Sequence, residues 1–277
     1  MARDIKDNNL GGRLGRYARV GGSMGGLAAR FAGDKLTGNK REQGEYAREL
    51  KSLLGSLKGP VMKVAQLLST IPDALPKEFA QELSQLQANA PAMGRPFVKR
   101  RMKTELKPGW EQKFTSFSYD AVAAASLGQV HKAVSLEGED LAIKLQYPNM
   151  ASAVEADLNQ LALILGLFRR YDASIDTREI KEELGDRLRE ELDYELEGRH
   201  LSLYGDMLAD EPMVHIPKLI PELSTDRLLT MGWLDGKPLL DFKEATQEVR
   251  NTIATNLFRA WYVPLHRYGI IHGDPHL

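Results

Sequence analysis

A few short stretches carry side chains whose types and spacing suit chemistry on an anion. AAASLGQVH (123–131) is built from small residues. Small residues let backbone N–H groups approach phosphate oxygens closely. It holds one glycine, Gly128; the alanines keep the bulk small but restrict φ, so a stiff loop is expected. LAIKLQYP (141–148) sets Lys144 in an apolar, strand-like run. In ELDYELE (191–197), a helix would put Glu190, Asp193 and Glu197 on one face at i, i+3, i+7, and Glu191 and Glu195 on an adjacent one. KVAQ (63–66) sets Lys63 and Gln66 in another apolar run, where a helix would align them with Thr70. HGDP (272–275) contributes a carboxylate, Asp274. Each stretch taken alone has a plain alternative: a strand with an exposed lysine, a wet helix face, or a solvated acidic helix paired with Arg187 and Arg199.

The elements that must position these groups belong to a globular chain. It has 277 residues, 43% hydrophobic and 27% charged, enough for a sizeable core in one large domain or two smaller ones. Its 37 Lys+Arg balance 38 Asp+Glu, so no bulk positive field argues for nucleic acid. The local run KRRMK (99–103) reads as a solvated helix face. Cysteine is absent, which excludes disulfides, thiolate metal sites and a cysteine nucleophile and fits a reducing, cytoplasmic compartment. The longest strongly apolar run, LALILGLF (161–168), is far short of a membrane span. The polar start MARDIKDNN is neither a secretory signal nor a good transit peptide.

Residues 11–33 mix arginines, small apolar residues and many glycines, which suits either an amphipathic surface segment or a loose connector. Helical pattern runs from Gln43 to about Gln87, broken at Ile71–Pro76, and FVKRRMKTEL (97–106) predicts a further helix. The character then changes. Residues 114–136 are strand-like around a small-residue turn, and 139–148 read as the partner strand. Residues 151–171, 177–208 and 247–269 read as helices, and 213–239 as two short strands around a Ser-Thr-Asp turn, then a glycine-containing connector.

Strand, small-residue turn, and strand with Ala-Ile-Lys form the front of a kinase nucleotide fold, where the lysine pairs with the nucleotide phosphates and a helix glutamate. With KVAQ, ELDY and HGDP in this order, the chain from about residue 11 to 277 resembles the UbiB/AarF (ADCK) family of atypical, protein-kinase-like proteins. KVAQ resembles the family's Lys-x-Gly-Gln signature with Ala65 in place of the glycine, and ELDY resembles its Glu-x-Asp motif. The resemblance implies an α+β, protein-kinase-like fold: an antiparallel N-lobe sheet with helices, an N-terminal helical extension and an incomplete C-lobe. The implied divisions are 1–42 (flexible or amphipathic), 43–110 (extension), 111–236 (N-lobe with its helical insertion) and 237–277 (start of the C-lobe). ATP or ADP with Mg²⁺ is the implied ligand. Lys144 would contact the phosphates and pair with Glu197. Ala123, Ala124, Ala125, Ser126, Gly128 and Gln129 would cover the phosphates. Lys63 and Gln66 would fold over the pocket, where Glu191 and Asp193 would meet Lys63. Asp274 would be the catalytic carboxylate, and MGWLDG (231–236) the hinge whose backbone meets the adenine edge. An extension filling the peptide site favours ATPase or small-molecule chemistry. The family's setting implies quinone-biosynthesis proteins, lipid or isoprenoid as partners, with peripheral contact to an inner membrane.

Two features depart from a kinase. A kinase has a metal-binding asparagine five residues after the catalytic aspartate, and then the aspartate of Asp-Phe-Gly. Here His276 and Leu277 follow Asp274-Pro275, so the sequence contains neither and assigns no metal ligand. Poor catalysis by this chain is the expectation, together with an uncovered apolar face around Trp261, Tyr262 and Leu265. A non-catalytic nucleotide- or lipid-binding pseudokinase module is the alternative, and a purely structural helical scaffold the third reading.

Overall fold

The computed structural model describes residues 93–273 apart from 126, 156–157 and 160–176, with the side chains of 177–181 also left aside. Lys63, Gln66, Ser126, Asp274, the 11–33 segment and the helices expected before residue 88 lie outside the described residues, as does most of the helix expected over 151–171. The chain forms two compact units. Residues 149–189 group with 1–90, and residues 91–148 group with 190–277.

In the first unit, Val154, Leu158, Leu184 and Leu188 are buried. Gly185 admits close packing there, since a Cβ at 185 would lie 3.4 Å from Leu158 Cδ1. Arg189 bonds Glu155 at 3.0 Å.

The second unit is built on an antiparallel sheet. Helix α1 (Arg95–Leu106) starts with a proline in its first turn and ends with Lys103 in its last, both favourable placements. Strands β1 (Ser116–Phe117), β2 (Ala123–Ala124), β3 (Gly128–Val134), β4 (Asp140–Gln146) and β5 (Leu228–Gly232) follow, in the order β1-β3-β4-β5 with β2 also on β3. The β3–β4 turn is held by Ser135, whose Oγ accepts from the N–H groups of Glu137 and Glu139, and by Gly138 at φ 86°. Alternation divides the faces. Ala133, Leu141, Ile143, Leu145 and Leu228 bury against Val98, Met102 and Leu106 of α1 and against Trp110 and Phe114. Val130, Lys132, Ala142 and Lys144 point to the opposite face, with Val130 registered on Lys144 and Lys132 on Ala142.

Two expectations are corrected. The helix expected over 177–208 is two helices, α2 (Thr177–Leu192) and α3 (Tyr194–Met207). Asp193 between them has φ −92° and ψ 88°, so Glu190, Asp193 and Glu197 do not lie along one helical face. The cause is capping: the Asp193 carboxylate accepts the N–H of Leu196 at 2.8 Å, satisfying a donor that a continuous helix would have bonded through its backbone. Of the two strands expected over 213–239, only β5 forms. Its partner is reduced to the bridge Leu219–Met231 between Pro217 and Pro221, which have no N–H to extend a ladder.

The basic run at 99–103 is only partly a wet face. Arg101 is buried and bonds Glu105 at 3.0 Å, and Met102 lies in the core. The chain ends its described part with α4 (Gln247–Val263) and a π-helical turn, Pro264–Tyr268. Trp261 and Tyr262 are exposed and Leu265 is half-buried.

Candidate functional site

The sheet face opposite the α1 core carries Lys144, and α3 supplies its partner. Lys144 Nζ donates to both carboxylate oxygens of Glu197, at 2.7 and 2.8 Å. Three local devices bring the two together. The pleat of β4 turns Lys144 away from the flanking core residues Ile143 and Leu145. The Asp193 cap starts α3 so that Glu197 sits in its first turn, where the helix dipole favours an acid. Gly198 lets α3 lie close, since a Cβ there would be 3.2–3.5 Å from side-chain carbons of Leu219 and Leu229. The pair stays in contact with water, its side chains 22% and 38% exposed, so a phosphate can reach the ammonium.

Tyr194 lies beneath the pair. Its ring centroid is 4.8 Å from Lys144 Nζ, and the residue is 1% exposed. Burial pushes its phenol well above the ordinary range, and the Glu197 and Glu191 carboxylates push the same way, so it is a neutral O–H at any physiological pH. That hydroxyl is buried with no hydrogen-bond partner among the described residues.

The small-residue loop stands at the edge of the same face. Ala123 and Ala124 form β2, exposed and registered on Val130 and Gln129, and the Ala125 N–H closes the turn on the Gly128 carbonyl at 2.8 Å. Gly128 is needed for space and not for an unusual φ. A Cβ there would lie 2.4 Å from the Leu145 carbonyl oxygen and 2.9 Å from the Tyr194 hydroxyl. Gln129 turns the other way and is fully buried. Its Oε1 accepts the Met93 N–H at 2.6 Å, and its Nε2 lies 3.1 Å from the Met93 carbonyl and 2.8 Å from His131 Nε2. Its side chain is therefore committed to the core and not to a ligand above the loop.

His131 was not among the residues singled out from the sequence. Its Nδ1 lies 2.9 Å from the Ser118 carbonyl, an acceptor, so Nδ1 carries the proton and Nε2 accepts from Gln129. Burial holds its pKa below the ordinary 6.5, against smaller opposing effects of Ser118 and Asp120. The period-2 burial of β3 was the available signal: His131 alternates with Gln129 and Ala133 on the core face.

In MGWLDG (231–236), where the resemblance puts a hinge, the Gly232 N–H bonds the Lys218 carbonyl and the Trp233 N–H bonds the Asp140 carbonyl, each at 2.9 Å. An adenine edge at this segment would have to use neither donor. Lys132 bonds Asp140 at 2.7 Å and lies 5.0 Å from the Trp233 ring centroid, which ties this segment to the sheet. His272 packs edge-on against Tyr204 with ring centroids 5.9 Å apart. Lys144, Glu197, Gly128 and the β2 alanines thus gather around one face; Glu191 is half-buried and Asp193 caps α3. An ammonium held by a carboxylate and flanked by small residues fits a phosphate chain. Among the described residues, no three His, Asp or Glu side chains converge to hold a metal ion.

Comparison with known proteins points the same way. Residues 85–277 match the family model described as the ABC1 atypical kinase-like domain. Atypical kinase COQ8, mitochondrial, of Saccharomyces cerevisiae is 31% identical over 220 residues, covering 79% of this chain and 44% of that protein. The chloroplastic protein ACTIVITY OF BC1 COMPLEX KINASE 1 of Arabidopsis thaliana is 33% identical over 251 residues, covering 88% of this chain and 37% of that one. The chain therefore spans less than half the length of these curated relatives. The solved structure of Rv3197 with erythromycin, from Mycobacterium tuberculosis, superposes with a TM-score of 0.60 at 33% identity, covering 84% of this chain and 59% of that one. No helix among the described residues is long and apolar enough to cross a membrane.

Proposed function

The chain belongs to the ABC1 atypical kinase-like family, and from that premise we propose that it binds ATP or ADP at the Lys144–Glu197 pair and takes part in ATP-dependent, ATPase-like chemistry supporting isoprenoid-quinone (ubiquinone) biosynthesis. The observation that carries the reading is the two-oxygen pairing of Lys144 with Glu197 on an open sheet face beside a small-residue loop. In this role Glu197 orients the ammonium, and Lys144 neutralises charge on the α- and β-phosphates. Ala123, Ala124, Ala125, Ser126 and Gly128 cover the phosphates with backbone, and Gln129 secures the strand that carries the loop. By the family resemblance, Lys63, Gln66, Glu191 and Asp193 would also serve nucleotide binding, and Asp274 would be the carboxylate that orients or deprotonates the acceptor. Bound Mg²⁺ would supply charge neutralisation on the phosphates. The quinone pathway and a membrane-peripheral setting rest on the family resemblance, supported by relatives named as mitochondrial COQ8 kinases.

The test is a thermal-stability titration of the full chain with ADP and ATP, with and without Mg²⁺, beside Lys144→Ala. Ligand at a hundred times Kd should stabilise the wild type by about 2.7 kcal/mol. A shift that vanishes in Lys144→Ala supports the site; no shift from a folded wild-type chain rejects it. Loss of ATP turnover but not of ADP binding in Asp274→Asn would mark chemistry, whereas an ATP-binding chain with no turnover to lose would mark the pseudokinase alternative.

A further inference from the structure

Lys144 is gripped on two sides. Glu197 takes its ammonium from one, and the face of Tyr194 lies 4.8 Å from Nζ on the other. Tyr194 and Glu197 are three residues apart on α3, so one turn of helix presents both groups to the same cation. A cation over a buried aromatic face is held by the ring's quadrupole, and more strongly than at an exposed site. The hydroxyl has no hydrogen-bond partner among the described residues, and it lies near the backbone of Gly128, away from solvent. What the position offers Lys144 is therefore the ring. The side chain also limits residue 128, because its hydroxyl oxygen would lie 2.9 Å from a Cβ there.

We infer that Tyr194 is a positioning residue, whose ring face holds Lys144 in line with Glu197 and sets the lysine's height beneath the small-residue loop. With Glu197 alone, the ammonium could follow its carboxylate toward solvent, since both side chains are partly exposed. With the ring beneath it, the ammonium keeps one location whether or not an anion is present. The consequence for ligand binding rests on the nucleotide reading above; the hold on Lys144 itself does not.

The test therefore has two arms on the full chain. In the first, without nucleotide, acetylation of Lys144 by acetic anhydride is followed by mass spectrometry, with exposed Lys103 as internal standard. Tyr194→Leu should raise the relative rate at Lys144 about fivefold, the fold-change of about 1 kcal/mol of lost cation–ring attraction. Tyr194→Phe should restore it to within about twofold of wild type. Should Tyr194→Leu fail to fold, phenylalanine carrying one to three ring fluorines at position 194 keeps the shape and drains the ring face, and the rate should climb with each fluorine. In the second arm, ADP affinity should fall with Tyr194→Leu and return with Tyr194→Phe. A Lys144 rate that is flat across the fluorinated series, or equally altered by Phe and Leu, overturns the inference. Wild-type chain that does not bind ADP would instead refute the nucleotide reading, and the acetylation arm would still decide the role of Tyr194.

Discussion

Gly128→Ala is the sharpest test of how the site is built. Two reasons could lie behind a lone glycine in an alanine-rich loop: freedom in φ, or room. The structure answers room. Gly128 is not among the positive-φ glycines, so alanine would meet no conformational penalty there. In open space the substitution would even stabilise, by about 0.4–1 kcal/mol, through the unfolded chain. The space is not open. The new methyl would sit 2.4 Å from the Leu145 carbonyl oxygen, about 1 Å inside the 3.4 Å at which ordinary contact begins. That oxygen is backbone and cannot swing aside as a side chain can, so β3 and β4 must separate locally. Overpacking of this kind costs about 1–3 kcal/mol, so the net expectation is a loss of about 1–2 kcal/mol. Lys144 precedes Leu145, so the movement reaches the ion pair, and ADP affinity should fall with stability. Denaturant unfolding with an unchanged m-value reads the first quantity, and calorimetric titration the second. Gly138→Ala is the control: Gly138 has φ 86° with nothing within 4 Å of its would-be Cβ, so strain of about 1 kcal/mol should appear with ADP binding intact. A Gly128→Ala chain as stable as wild type would refute the steric reasoning.

Three further outcomes follow from named contacts. Asp193→Ala should lower stability by about 1 kcal/mol through loss of the α3 cap, and Asp193→Asn, which keeps an acceptor, should lose far less in the same unfolding assay; ADP affinity that drops in Asn despite an intact cap would assign the carboxylate a second role at the pocket. His131 is neutral in the fold with its pKa lowered by burial, so below about pH 6.5 the unfolded chain binds the extra proton first. Stability should then fall on acidification by at most about 1.4 kcal/mol per pH unit until the folded histidine itself protonates, and a His131→Asn chain should show a flatter profile over that window. Tyr194→Phe should raise the unfolding midpoint, because it deletes a buried hydroxyl that has no partner among the described residues.

The kinase-like front was legible because its signals are local and periodic. Alternation in GQVHKAV and DLAIKLQ gives the β3–β4 pair and turns Lys144 away from the core. Proline in the first turn of α1 and Thr246 as the α4 cap mark helix starts that need no tertiary information. The α2–α3 break was missed for the opposite reason. An aspartate inside a long polar, helix-favouring run is compatible with either an exposed interior position or a cap, and only the Asp193 carboxylate bonding the Leu196 N–H decides between them. The lost strand before β5 had a signal in its two prolines, which flank the only residues able to pair.

Residues around the lysine divide along the same line. Lys144 and Glu197 are 53 positions apart, and their pairing is implied by the family resemblance and not by any local signal. Gln129 shows what such order leaves out. It belongs to the alanine-rich stretch, yet it is the first core-facing residue of β3, and both ends of its amide bond the backbone of Met93, 36 residues earlier. Its neighbour Gly128 faces the other side of the sheet, where Tyr194 and Leu145 leave no room for a side chain. One residue of register thus separates a position that must have no side chain from one whose side chain is wholly spent on the core. Under the proposed nucleotide role the loop would act through backbone, and Gln129 and Tyr194 matter to it through contacts distant in sequence.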